Sequence, residues 1–215
     1  VVVVANHPFG GVEGVILSDL LLKVRPDVRI MVNFMLYSIP ELRELFIPVD
    51  PFGGGNASRS NITPLKDSIR TLRQGQCFGV FPAGEVSSLH VRNRTVTDPK
   101  WSETVAGIIR KTQSSVVPVF FHGRNSRLFQ LLGLLHPRFR TMMLPREMLR
   151  KDGDTVKVAI GSPIPWGKLD HCTSDRQLIS YLRLRTYMLK NRNLPPRTRR
   201  FFFFSMLDGT DTELA

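Results

Sequence analysis

Residues 1–14 read Val1-Val2-Val3-Val4-Ala5-Asn6-His7-Pro8-Phe9-Gly10-Gly11-Val12-Glu13-Gly14: an unbroken apolar run, a Pro/Gly turn that carries an imidazole, and a carboxylate six residues after it. The run reads as a strand and the turn places His7 at its end. A neutral imidazole accepts a proton near physiological pH. A carboxylate on its other ring nitrogen fixes the tautomer and stabilises the imidazolium that forms, so His7 reads as a general base and Glu13 as its partner. A second segment, Val80-Phe81-Pro82-Ala83-Gly84-Glu85-Val86-Ser87, repeats the layout of an apolar strand breaking into a turn with a carboxylate. Two such turns in one chain suggest one cleft.

Working outward, further β-branched or aromatic runs at residues 28–32, 46–49, 77–81, 116–121 and 156–160 read as strands. Helical patterns lie between several of them, at 12–22, 64–72, 99–111 and 125–135, with a last helix over about 174–190. Thr63 is expected to cap the helix that starts at Pro64, and Asp98 the one that starts at Pro99. Strands alternating with helices imply an α/β fold: a single domain with a mainly parallel mixed sheet covered by helices, whose ligands bind beyond the carboxyl ends of the strands. After the last helix Leu194-Pro195-Pro196 is a breaker. Residues 193–215, with Arg197 to Arg200, Phe201 to Phe204 and the acidic Asp208, Asp211 and Glu213, read as a linker or tail that can lead to a further domain. The main domain is residues 1–192, and its opening on Val1 without an initiator Met reads as an N-terminally truncated fragment.

A length of 215 residues suits one domain with a full core. The net charge of +12 predicts attraction to polyanions: anionic lipid, phosphorylated substrates or nucleic acid. Cys77 and Cys172 are far apart and lack metal-type spacing, which fits a reducing compartment and gives neither a disulfide framework nor a zinc cluster. His90 and His122 show no ligand spacing with His7 either, and no metal is expected. Trp101 and Trp166 read as packing residues. No apolar run approaches the roughly 18 residues of a membrane span. Arginines 124, 127, 138, 140, 146 and 150 lie around the apolar stretch 129–135, a pattern that suits an anionic leaflet.

Four blocks in order resemble a known family: the His7 turn, Ile47-Pro48-Val49-Asp50-Pro51-Phe52-Gly53-Gly54, the Phe81-Pro82-Ala83-Gly84-Glu85 turn, and Val117-Pro118-Val119 with Gly161-Ser162-Pro163-Ile164. They are similar to those of the glycerolipid acyltransferases, which include glycerol-3-phosphate and lysophosphatidate acyltransferases, and within these to the hemolysin-like branch. The resemblance implies transfer of a fatty acyl chain from acyl-CoA or acyl-ACP (acyl carrier protein) to a lysophospholipid or glycerol-phosphate-type acceptor. The expected setting is the membrane surface, with a cytoplasmic protein peripheral to the inner face and no bound cofactor. An ornithine-lipid or other aminolipid acceptor is the alternative. By resemblance His7 is the base and Glu13 its carboxylate, while Phe81, Pro82, Gly84 and Glu85, with Arg59 and Asn61 from the second block, bind substrate.

The sequence departs from the family pattern in three places. The usual carboxylate is an Asp five residues after the His, whereas Glu13 comes six after His7 within a Gly10-Gly11 turn that can absorb the extra residue. The third block usually has Glu where Ala83 stands and Thr where Glu85 stands. The second block usually supplies an Arg for the acceptor phosphate, and Arg59 is the nearest candidate. Independently of the family, thioester chemistry needs an activated nucleophile, a fixed carbonyl and donors for the oxyanion, for which the turn around Gly84 is the expected source. The non-enzyme alternative is a basic lipid- or nucleic-acid-binding module, but the chain carries no zinc finger, RNP-like strand or basic zipper.

Overall fold

The computed structural model describes residues 1–37, 39–49, 62–192 and 197–200. Seven of its strands form one sheet in the order β3-β2-β4-β1-β7-β8-β9: β1 (Val2–Ala5), β2 (Val28–Asn33), β3 (Phe46–Val49), β4 (Cys77–Val80), β7 (Val116–Phe121), β8 (Thr155–Ile160) and β9 (Arg197–Arg200). The first five in that order run parallel, and β8 and β9 add antiparallel pairs at one edge. A separate hairpin joins β5 (Ser88–His90) to β6 (Thr95–Thr97).

The apolar run at the start of the chain has a simple physical origin. β1 lies between β4 and β7, and its side chains alternate between two cores. Val3 and Ala5 pack on the face covered by α1 (Val12–Leu22), while Val2 and Val4 pack on the opposite face. That second face is covered by α3 (Ile62–Arg73), α4 (Glu103–Thr112) and α8 (Asp175–Met188), through Leu72, Ile109 and Leu178 among others. A strand buried on both faces has no position for a polar side chain. A short α2 (Phe34–Tyr37) follows β2; α5 (Arg127–Leu135), α6 (Pro137–Leu149) and a short α7 (Trp166–Leu169) complete the helices.

The six strands read from sequence are present, as is the α/β class with a mostly parallel sheet flanked by helices. Three readings are corrected. Asp98 does not cap a helix: α4 starts at Glu103, and Ser102 caps it by accepting the Thr104 N–H at 3.3 Å. Thr63 lies inside α3, which already begins at Ile62. Arg197–Arg200, left in the linker, pairs antiparallel with β8, a contact that main-chain groups make without any apolar pattern. The helix at residues 137–149 was not anticipated at all.

Candidate active site

His7 leaves β1 two residues past its end. Asn6 before it is buried and pinned both ways to β7, its Nδ2 donating to the Phe121 carbonyl at 3.0 Å and its Oδ1 accepting the Phe121 N–H at 2.7 Å. The turn that follows wraps around the Glu13 carboxylate. Oε1 accepts the N–H groups of Phe9 and Gly10, both at 2.9 Å, and Oε2 accepts that of Gly11 at 3.2 Å. Glu13 thus occupies the first turn of α1, where the helix N-terminus favours negative charge, and also organises the loop carrying the imidazole. The Gly10-Gly11 pair makes the six-residue spacing possible, since Gly10 sits at φ +94°, a conformation that side-chain-bearing residues rarely adopt.

His7 Nδ1 lies 2.8 Å from Glu13 Oε1, although the ring N–H is not aimed closely enough at that oxygen to form a linear hydrogen bond. Catalytic contacts are often poorly aligned before substrate binds. Glu13 is fully buried, and His7 keeps 11% of its side chain exposed. Burial opposes the charged imidazole, but the Glu13 carboxylate and, less strongly, Asp98 outweigh it and hold the His7 pKa above its ordinary 6.5. Burial likewise opposes the Glu13 anion, yet His7 and the N–H groups of Gly10 and Phe9 keep its pKa below 4.5. The pair is therefore tuned toward imidazolium and carboxylate.

The Phe81 turn meets this loop at the same end of the sheet. The β1–β4 register sets Val4 opposite Val80, so Phe81 follows directly beside Ala5, and its ring stacks on the His7 ring with centroids 4.9 Å apart. A cavity of about 450 Å³ opens there, lined by His7, Gly10, Phe81, Pro82 and Gly84 and extended by apolar side chains such as Val32, Leu36, Leu65, Val105 and Ile108. With Nδ1 turned to Glu13, Nε2 is the imidazole nitrogen left for the cavity.

The remaining expected site residues are placed differently. Glu85 is not among the residues that line the cavity; its carboxylate accepts from Arg140 Nη2 at 3.3 Å. The Gly84 N–H, expected as an oxyanion donor, is committed to the Phe81 carbonyl at 3.0 Å, because that bond closes the turn. Arg59, Asn61 and most of the second block lie outside the described residues. Asp19 pairs with Lys23 at 3.4 Å. His122 packs edge-on to Phe120. Among the described residues no group of three or more His, Cys, Asp or Glu is gathered to hold a metal ion.

One residue at the site, Asp98, reads in the sequence only as a helix cap. Asp98 is 1% exposed, and its carboxylate accepts three donors: the His7 backbone N–H at 3.0 Å, Ser87 Oγ–H at 2.5 Å and Trp101 Nε1–H at 2.9 Å. Ser87 N–H in turn donates to the His7 carbonyl at 2.8 Å. The two turns are thereby tied together by one buried carboxylate. The Asp98 N–H donates to Tyr187 Oη at 2.9 Å, and burial, with the Asp98 charge, pushes the Tyr187 phenol up to about 12.

A sequence model of the family described as Acyltransferase matches residues 1–194. The chain belongs to that acyltransferase family and is an acyltransferase of lipid metabolism. It is 32% identical over 193 residues to the lyso-glycine lipid O-acyltransferase of Phocaeicola vulgatus, covering 86% of this chain and 67% of that protein. It is 31% identical over 199 residues to the protein of the same name from Bacteroides thetaiotaomicron, covering 86% and 68%. The fold matches the crystal structure of the 1-acyl-sn-glycerophosphate acyltransferase PlsC from Thermotoga maritima with a TM-score of 0.52 at 20% identity, over 89% of this chain and 66% of that one. The chain thus spans about two thirds of the length of each.

Proposed function

We propose that this enzyme esterifies a hydroxyl of a lysolipid with a fatty acyl chain taken from acyl-CoA or acyl-ACP. The acceptor favoured is a lyso-aminolipid of the lyso-glycine lipid kind, as named for the two bacterial relatives. The observation that carries the reading is the His7–Glu13 pair on the wall of a largely apolar cavity. In the reaction, Nε2 of His7 takes the proton of the acceptor hydroxyl as its oxygen attacks the thioester carbonyl. The tetrahedral oxyanion then collapses, the C–S bond breaks, and the departing thiolate receives the proton from the imidazolium. Glu13 stabilises that imidazolium, and the stack on Phe81 keeps the ring in place while Pro82 and Gly84 shape the rim.

The apolar depth of the cavity suits an acyl chain. Arg59, with Asn61 beside it, is assigned by family resemblance to the acceptor headgroup, and Glu85 of the third block to substrate binding. The acyltransferase domain is residues 1–192 together with the β9 strand, Arg197–Arg200, that joins its sheet. The enzyme works as a peripheral protein at the inner face of the membrane, where one-chain lipids reside; among the described residues no helix is long and apolar enough to cross a bilayer.

The test is an acceptor screen. Purified protein is supplied with acyl-CoA and acyl-ACP against lyso-glycine lipid, lyso-ornithine lipid and lysophosphatidate, with products identified by mass spectrometry. An ester on a lyso-aminolipid hydroxyl, absent with His7→Ala, is the expected result. Preference for lysophosphatidate would return the acceptor to the glycerol-phosphate class, and no ester on any hydroxylated lipid from folded protein would overturn the reading.

A further inference from the structure

The helices α5 and α6, residues 127–149, are joined by His136 and pack on each other, and the two sides of the pair differ sharply. The inner side packs on the active-site loop. Phe129 of α5 is fully buried, and on α6 Leu144 and Glu147 are buried and Met148 half-buried, an i, i+3, i+4 stripe. A Cβ placed on Gly10 would lie 2.5 Å from Leu144 Cδ2, so this helix touches the His7 loop directly. Lys151 sits over the Phe9 ring at 4.5 Å, and Asn125 donates to the Phe9 carbonyl at 3.0 Å.

The outer side is apolar and largely uncovered among the described residues. Leu128, Leu131, Leu134 and Leu135 of α5 are exposed, as are Phe139, Met142 and Leu149 of α6; Leu135 and Met142 are each 75% accessible. Soluble proteins rarely leave so many large apolar side chains contiguous on a surface without an occupant. The charge along the two helices is mainly positive. Between Arg124 and Lys151 the single carboxylate is Glu147, which is buried against Ser126, whereas Arg124, Arg127, Arg138, Arg146 and Arg150 are exposed. An apolar ridge edged mainly by arginine matches an anionic lipid surface, where leucine and phenylalanine enter the acyl boundary and guanidinium groups meet headgroup phosphates.

We propose that the α5–α6 pair is the docking element that seats this enzyme on an anionic bilayer. Docking there sets the buried loop of Phe9, Gly10 and Gly11 one helix layer behind the lipid surface, because the same helix that faces the membrane outward holds that loop on its inner side. A one-chain acceptor then reaches His7 without leaving the interface. This rests on the membrane-surface reading above and redraws the face that the sequence indicated: Phe129 is buried, and Arg140, half-buried, is engaged with Glu85, so neither belongs to it, while Phe139, Met142 and Leu149 of α6 do.

The test is co-sedimentation with vesicles of phosphatidylglycerol and phosphatidylcholine across a salt series. Two triple variants are compared with the wild type: Leu131→Gln, Leu135→Gln, Met142→Gln, and Arg127→Glu, Arg138→Glu, Arg146→Glu. The arginine variant should lose at least roughly a hundredfold in partition at low salt, since each basic side chain near such a surface contributes about fivefold and each glutamate adds repulsion. The apolar variant should lose on the order of tenfold or more in the salt-resistant part. Turnover of a soluble short-chain acceptor should be unchanged in both. A fluorophore on Leu135→Cys should shift to the blue on anionic vesicles, and one on Val24→Cys, at the far end of the sheet, should not. Failure to turn over the soluble acceptor in the wild type would strike the acyltransfer reading alone. Unaltered vesicle binding by the apolar variant, duplex DNA binding in place of vesicles, or loss of a dimer rather than of lipid binding would each overturn the docking assignment.

Discussion

Oε1 of Glu13 faces His7 Nδ1 at 2.8 Å and also receives the N–H groups of Phe9 and Gly10, so one oxygen both partners the imidazole and folds the loop that carries it. Replacing Glu13 separates these roles. In Glu13→Gln the amide oxygen can still accept from Phe9 and Gly10, but the amide nitrogen then confronts the Gly11 N–H and the charge opposite the imidazolium is gone. Turnover should fall on the order of 10²-fold, within the range of general acid–base contributions. The check is kcat beside a circular dichroism spectrum that stays unchanged.

Removal of His7 itself should be more complete. His7→Ala leaves Glu13 with its three backbone donors, so the loop retains its shape while proton acceptance is lost. Activity should drop by roughly 10²- to 10⁴-fold. A folded His7→Ala protein that esterifies at the wild-type rate would remove His7 from the mechanism.

The raised pKa of His7 and the lowered pKa of Glu13 give activity and stability opposite demands on pH. The base must be neutral, so kcat/KM should rise with pH through a midpoint above 6.5, and Glu13→Gln should move that midpoint down. Stability follows the ion pair. The part due to His7 is full below 6.5 and fades as pH rises through the folded pKa; the part due to Glu13 is full above 4.5 and fades as pH falls through its own. The Tm difference between wild type and His7→Gln should therefore be largest between these two values and shrink on either side. A difference independent of pH would mean that the pair carries no linkage.

The strands and the His7–Glu13 pair were legible because both are written locally. The run from Val1 to Ala5 has to be apolar on both faces, and the Gly10-Gly11 turn is the visible accommodation of a longer spacer. What escaped depends on tertiary partners. Asp98 before Pro99 looks like a cap, and nothing nearby tells that its carboxylate points at the backbone of a residue 91 positions away. α6 has Pro137 at its start, Pro145 within it, and an inner stripe that mixes Arg140 and Glu147 with Leu144 and Met148, so apolar periodicity does not reveal it. The Arg197–Arg200 strand has no apolar residue at all.

Asp98 is expected to act as a positioning residue. Asp98→Ala strands three donors in a buried site and should cost about 3 kcal/mol of stability, near the value for breaking a buried charged network. Asp98→Asn keeps the volume but sets an amide hydrogen against one of those donors, with a smaller loss. Because the Asp98 charge helps to raise the His7 pKa, the asparagine variant should also lower the pH midpoint of kcat/KM, which a purely structural role would not move. Denaturant melts and pH–rate profiles on the same protein separate the two effects.

The contact between the His7 loop and α6 can be probed at Gly10, whose φ of +94° already disfavours a side chain. A methyl group there would also enter the space of Leu144 Cδ2 at 2.5 Å and of Val86 Cγ2 at 2.6 Å. Either α6 yields or the loop does. Gly10→Ala should cost more than the roughly 1 kcal/mol of an unfavourable φ alone, because overpacking adds to it. Trimming the opposing side chain should relieve only the packing part: the double variant Gly10→Ala, Leu144→Ala should lose less stability than the sum of the single changes. If the two losses simply add, as determined by denaturant unfolding of all four proteins, the loop and the helix are not in the contact described here, and the route from the outer face of α6 to the base is broken.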